Sequence, residues 1–111
     1  MSTTEEFADK MRTLAAAAAE ARGNREYLEE FKRSKLAMLM ATAERDGATS
    51  IAAQERDARR HPEYLALLDG LREAVEICER CEYEVRIGFK VAEMWQTKQA
   101  NERAERRVYG A

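Results

Sequence analysis

The sequence predicts an all-α chain, a long antiparallel helical hairpin with a short connector helix, completed by dimerisation into a four-helix bundle or coiled coil. Three observations predict it. Of the 111 residues 45% are apolar and 36% charged, with a single proline, a balance too apolar for disorder and suited to packed helices. Apolar residues recur at spacings of three and four along much of the chain, the period of one helix face. The last helical stretch carries two interleaved heptad series, the mark of helices that pack along their length. A chain of this size makes one domain, residues 1–111. Its helices are expected at about 3–22, 24–46, 50–60 and 62–106, with a basic C-terminal tail over 98–111.

The first helix is announced by Ser2-Thr3-Thr4-Glu5-Glu6, read as a capping box in which Thr3 accepts from the amide three residues on and Glu6 reaches back. Phe7, Met11, Leu14, Ala18 and Ala21 then share one face. The run Ala15–Ala19 adds helix propensity and a surface for close packing. Gly23-Asn24 reads as a kink or short break, glycine suiting a helix end and asparagine the next start. Tyr27, Phe31, Ser34, Met38 and Ala41 repeat the spacing, supported by Leu28, Leu36 and Leu39, until Asp46-Gly47 stops the helix.

Thr49 or Ser50 can cap a short connector from Ile51 to about Arg60. His61-Pro62-Glu63 restarts the chain, with proline in the first turn and glutamate at the positive helix end. In the last helix Tyr64, Leu71, Cys78, Val85 and Ala92 lie seven apart, as do Leu67, Ala74, Cys81, Gly88 and Trp95. Leu67, Leu71, Ala74, Cys78, Cys81, Val85, Gly88, Ala92 and Trp95 are therefore the expected helix-packing and oligomer interface. Ala74, Cys81 and Gly88 are small, so a neighbouring helix can approach closely there, and Trp95 is expected to be largely buried. Helices of this length make the chain rod-shaped, and a two-helix hairpin leaves part of its apolar stripe wet, which predicts a homodimer.

The motifs that could carry chemistry read better as structure. Cys78-Glu-Arg-Cys81 has redox and zinc spacing, but both cysteines fall on core positions and no second pair supplies four ligands. They are expected to be reduced thiols. His61 stands in a capping position, with no second histidine for a dyad. Glu73, Glu76, Glu79, Glu82 and Glu84 make a solvated acidic face, expected to pair with Arg72, Arg80 and Arg86. With no phosphate loop, nucleophile elbow, H-E-x-x-H or EF-hand loop in the sequence, the expectation is a protein that is not an enzyme and takes no cofactor or metal.

The net charge of −2 is unevenly spread: residues 61–97 carry eight acids against four bases, and 98–111 four bases against two acids. Arg56, Arg59 and Arg60 complement the connector helix dipole. Lys98, Arg103, Arg106 and Arg107, near Trp95 and Tyr109, are the candidate nucleic-acid-binding residues, a role the negative overall charge disfavours. The longest apolar run falls well short of the roughly 20 residues needed to cross a bilayer. With no basic and apolar leader at Met1–Glu6 either, a cytoplasmic protein without a membrane partner is expected.

Ala52-Ala-Gln-Glu-Arg56, His61-Pro-Glu-Tyr64, Leu71-Arg-Glu-Ala-Val75, Ala92-Glu-Met-Trp95 and Gln99-Ala-Asn-Glu-Arg103 give the chain, from Tyr27 to Ala104, a resemblance to small uncharacterised helical proteins of tailed phages and prophages. Those proteins are often encoded among early recombination and replication genes. The resemblance implies an accessory role in phage DNA metabolism and transfers no active site. Three functions follow as expectations: a helical interaction and assembly protein with a protein partner, a single-stranded nucleic-acid binder working through the basic tail, or an inhibitor of a host defence nuclease whose acidic helix mimics DNA phosphates.

Overall fold

In the computed structural model, which describes residues 2–109, three α-helices follow one another: α1 (Thr3–Arg45), α2 (Ile51–Arg60) and α3 (Pro62–Val108). Among the described residues there is no strand. Among the described residues, too, no helix is long and apolar enough to cross a membrane.

Each helix end is satisfied by side chains or backbone in a way the local sequence dictates. At the start of α1 the Glu5 amide donates to Ser2 Oγ at 3.1 Å and the Ser2 amide to Glu5 Oε2 at 3.2 Å. The capping box is thus Ser2 with Glu5, one residue ahead of the expected Thr3 with Glu6, because Thr3 is already helical and the cap must precede it. At the far end Ala48 N donates to Ala43 O and Gly47 N to Glu44 O, at 3.0 and 3.1 Å. This is the paired arrangement that closes a helix around a left-handed residue, and Gly47 has φ +111°.

Ser50 caps α2 by accepting from Ala53 N at 3.1 Å, and the Gln54 side-chain amide donates to Ala48 O at 3.0 Å, tying the loop down. His61 closes α2 by donating its amide to Ala58 O and opens α3 by accepting, at Nδ1, the Glu63 amide at 3.1 Å. Pro62 takes the first helical position, where its missing N–H costs nothing.

Gly23-Asn24 does not break α1: the helix passes through it, and the cost of one internal glycine, about 1 kcal/mol, is tolerated inside a long packed helix. This corrects the expected pair of helices at 3–22 and 24–46. It also corrects the second apolar face. The positions that turn inward along α1 continue the spacing begun by Phe7, Met11, Leu14, Ala18 and Ala21 to Arg25, Leu28, Lys32, Lys35, Leu39 and Thr42, every one buried or half-buried. Tyr27, Ser34, Met38 and Ala41 are exposed instead, and of the expected series only Phe31 is half-buried. Three basic residues on the inward face hide the pattern in the sequence; their alkyl stems cover apolar surface while the charged heads reach out.

The described residues form two compact units: Ala19–Glu79, and a terminal unit of the residues through Ala18 with those from Arg80. In the 19–79 unit α1 and α3 run antiparallel, with Lys35 Nζ 3.1 Å from Glu63 Oε2 and Arg25 Nη1 3.2 Å from Glu79 Oε1. Leu39, Ala58 and Tyr64 form the buried cluster, with Leu36, Met40 and Leu68 packed on it. The other buried residues of this unit are small: Ala21, Ala43, Ala74 and Cys78. A seam of such short side chains is covered only where helix backbones lie close. In the terminal unit the antiparallel sense recurs, since Met11 lies against Gly88 while Phe7 shares a groove with Ala92 and Trp95.

Two predictions follow from the helix ends. Gly47→Ala forces an L side chain into a left-handed conformation, so the variant is expected to lose about 1–2 kcal/mol of stability in denaturant titration. Lys35 holds the Glu63 carboxyl below its ordinary value, first through the direct charge-assisted bond. A depressed carboxyl contributes stability above its unfolded value and loses it as pH falls through the folded one. Glu63→Gln is therefore expected to be less stable than the parent at neutral pH, by a small margin for so exposed a pair, with the gap closing in acid. A gap that persists at low pH would show that Glu63 acts through packing.

Candidate interaction surfaces

The heptad face of α3 is turned inward almost throughout. Ala74, Cys78 and Gly88 are buried, and Leu67, Leu71, Cys81, Val85 and Ala92 are half-buried. Nine expected interface residues thus reduce to eight, because Trp95 departs from the expectation: it is 56% exposed. The reason is the run-out of α1. Trp95 sits at the mouth of a groove of about 510 Å³ shared with Thr3, Thr4 and Phe7, where the first turn of α1 has no large side chain besides Phe7 to cover an indole.

Gly88 faces the Met11 side chain of α1. A Cβ built there would overlap the Met11 thioether, the flexible end of that side chain, so a larger residue at 88 has to displace Met11. The cysteines are core residues: Cys78 is buried, Cys81 half-buried, and neither is in a disulfide. Among the described residues no cluster of three or more His, Cys, Asp or Glu is arranged to hold a metal ion.

Glu79 pairs with Arg25, which also pairs with Glu29 at 3.1 Å. Bonds to Glu29, Cys78 and Glu79 hold the Arg25 guanidinium further above its already high range. Arg86, expected among the acids, lies over the Tyr83 ring at 5.5 Å from its centre.

Outside the seam α3 carries a second apolar set. Tyr83, Ile87, Val91 and Met94 are all exposed, Tyr83 at 60% and Met94 at 66%. At about 100° per residue they fall within roughly 80° of arc, on the side of α3 away from Val85, Gly88 and Ala92. Val91 also lines the groove beside Trp95, while Met94 shares its surroundings with Lys90 and Lys98. The sequence contains this signal as the spacing four, four, three, but the stronger heptads beside it absorb attention.

Within the basic tail Lys98, Arg103, Arg106 and Arg107 are all exposed. Arg103, Arg106 and Arg107 share about 100° of arc, and Lys98 lies roughly 80° or more around the helix from them. The structure therefore groups three of the four expected residues. Glu102 and Glu105 interrupt the same turns.

Comparison with known protein families, curated proteins and solved structures returns no match to this chain.

The contact at Gly88 gives a sharp test. Gly88→Leu is expected to cost about 1–3 kcal/mol of stability by overpacking. Met11→Ala should relieve part of that cost in the double variant, and a thermodynamic cycle measures the coupling. Strict additivity of the two changes would place Gly88 out of reach of α1.

Proposed function

We propose that the chain is a non-enzymatic helical interaction and assembly module, working as an accessory factor in phage or prophage DNA recombination or replication. The observation that supports the interaction reading is the exposed set Tyr83, Ile87, Val91 and Met94. Several large apolar side chains exposed on one side of a helix are a feature that protein-binding surfaces share. The DNA-metabolism setting rests on the resemblance carried by His61-Pro-Glu-Tyr64, Ala92-Glu-Met-Trp95 and the accompanying runs. The test is affinity capture from phage-producing cells with the intact chain and with an Ile87→Glu, Met94→Glu variant. A recombination or replication protein held by the parent and released by the variant is the expected result. Capture that is equal for both, or of nothing, removes the stripe from function.

A second reading has its own support. Arg103, Arg106 and Arg107 are exposed together, with Trp95 exposed on the same helix and Tyr109 exposed just past its end, a combination that can hold single-stranded nucleic acid by phosphate contact and stacking. In that reading the chain retains single-stranded DNA at low salt, and replacing the three arginines by alanine flattens the salt dependence by about 0.7 per lost contact. Failure to retain DNA at low salt ends this second reading and leaves the first intact.

A further inference from the structure

The groove in the terminal unit is lined by two aromatic rings, Phe7 and Trp95, and by Val91 and Ala92, with Thr3, Thr4 and Gln96 adding hydroxyl and amide groups. Its volume of about 510 Å³ falls within the ~300–1,000 Å³ of small-ligand sites. Apolar walls with a few groups that both donate and accept suit a flat ring with a polar edge better than an aliphatic chain. Trp95 is 56% exposed, so much of its indole stays open to a ring arriving from outside. Every nucleobase has a face that stacks on such a surface.

The charges beyond the groove point to what carries that ring. By helical position Arg103 and Arg106 lie about 80° and 20° around α3 from Trp95, roughly 12 and 17 Å farther along its axis, and Lys98 lies about 60° to the other side. None of Lys98, Arg103, Arg106 and Arg107 is in an ion pair with a described carboxylate, although Glu102 stands four residues from both Lys98 and Arg106. Arg106 instead donates its Nε–H to the Glu102 backbone carbonyl at 3.4 Å. The acids on this side of α3 are Glu102, which is half-buried, and Glu105, about 80° from Trp95 and away from Arg103. On the α1 wall the Glu5 carboxylate is taken by the Ser2 amide, and Glu6 lies about 100° around the helix from Phe7. Cations without a carboxylate partner beside an aromatic groove are complementary to the phosphates of the strand that bears a base. An apolar side chain of a protein partner would leave them unused.

We propose that the groove lined by Phe7 and Trp95 is a nucleobase slot: a base of single-stranded nucleic acid stacks on the open indole of Trp95, with Thr3, Thr4 and Gln96 at its polar edge, while Arg103 and Arg106 hold phosphates of the same strand. The proposal rests on the second, nucleic-acid reading and deepens it, from a basic helix end to a site that holds a base. Stacking and phosphate contact are common to DNA and RNA single strands. A duplex keeps its bases stacked on one another and offers none to the slot.

The experiment uses the purified full chain, whose single tryptophan reports on the slot directly. Titration at low salt with oligo(dT), and in a second arm with oligo(U), is expected to quench Trp95 emission to saturation, and a DNA duplex of equal length is expected not to. Quenching by one of the two strands alone supports the slot and assigns its sugar. In fluorescence anisotropy with the labelled strand, Trp95→Leu keeps apolar bulk but removes the stacking surface, so binding should weaken about tenfold or more with an unchanged salt slope. Trp95→Phe should restore most of that loss, at equal helix content by circular dichroism. Arg103→Ala with Arg106→Ala should instead lower the salt slope by about 1.4. Binding that leaves Trp95 emission unchanged, or that Trp95→Leu does not weaken, overturns the slot while the arginine reading stands. Equal quenching by the duplex overturns the slot as well, and no binding of either strand at low salt removes slot and reading together.

Discussion

The seam between α1 and α3 is built from small side chains, and most other features follow from that constraint. Alanine, cysteine and glycine at Ala21, Ala43, Ala74, Cys78 and Gly88 bury little apolar area each, on the order of 25 cal/mol per Å². They stabilise the pairing only by letting two backbones approach until the flanking residues also lose water. At Gly88 the missing side chain leaves room that the Met11 thioether fills. Tyr83, Ile87, Val91 and Met94 stand on the other side of α3 by their helical positions.

Polarity is used on the inward face of α1 in an uncommon way. Arg25, Lys32 and Lys35 occupy heptad positions where coiled coils place leucine or isoleucine. Lys35 is 19% exposed and Arg25 32%, and each meets a carboxylate of α3. Exposed ion pairs stabilise little, but a cation at a seam position that must find its acid fixes which turn of one helix faces which turn of the other. The pairs with Glu63 and Glu79 therefore serve register, while Leu39 and Tyr64 supply cohesion.

Much of this was legible in the sequence. Apolar content, spacing and the Gly47, Ser50 and His61-Pro62 signals mark the outer limits of the helical stretches nearly correctly, with one break too many at Gly23-Asn24, and of the nine heptad residues expected to pack only Trp95 is exposed. The errors share a cause. Reading Gly23-Asn24 as punctuation reset the phase of α1, and the aromatic Tyr27 then drew the face away from Arg25 and Lys32. Periodicity of apolar residues cannot register a cation that is buried by its stem. Trp95 escaped for another reason: whether an indole is covered depends on where the opposing helix begins, and that is set by chain register, which no local pattern encodes. The outer stripe was visible only after the seam had been assigned, since both use the same spacing on one helix.

The antiparallel pairing also orders how the chain can assemble. Closing a loop costs entropy that rises with the logarithm of its length, so Lys35 and Glu63 meet across a segment about half as long as the one joining Arg25 to Glu79, and Met11 reaches Gly88 only across a longer one still. The capped turns at Gly47, Ser50 and His61 shorten the first search by holding α2 between two defined helix ends. Folding would then begin beside Leu39, Ala58 and Tyr64 and advance as a zipper, each closed turn making the next a local event. On loop length alone, the contacts of the terminal unit, where Trp95 and the outer stripe lie, are the costliest to close.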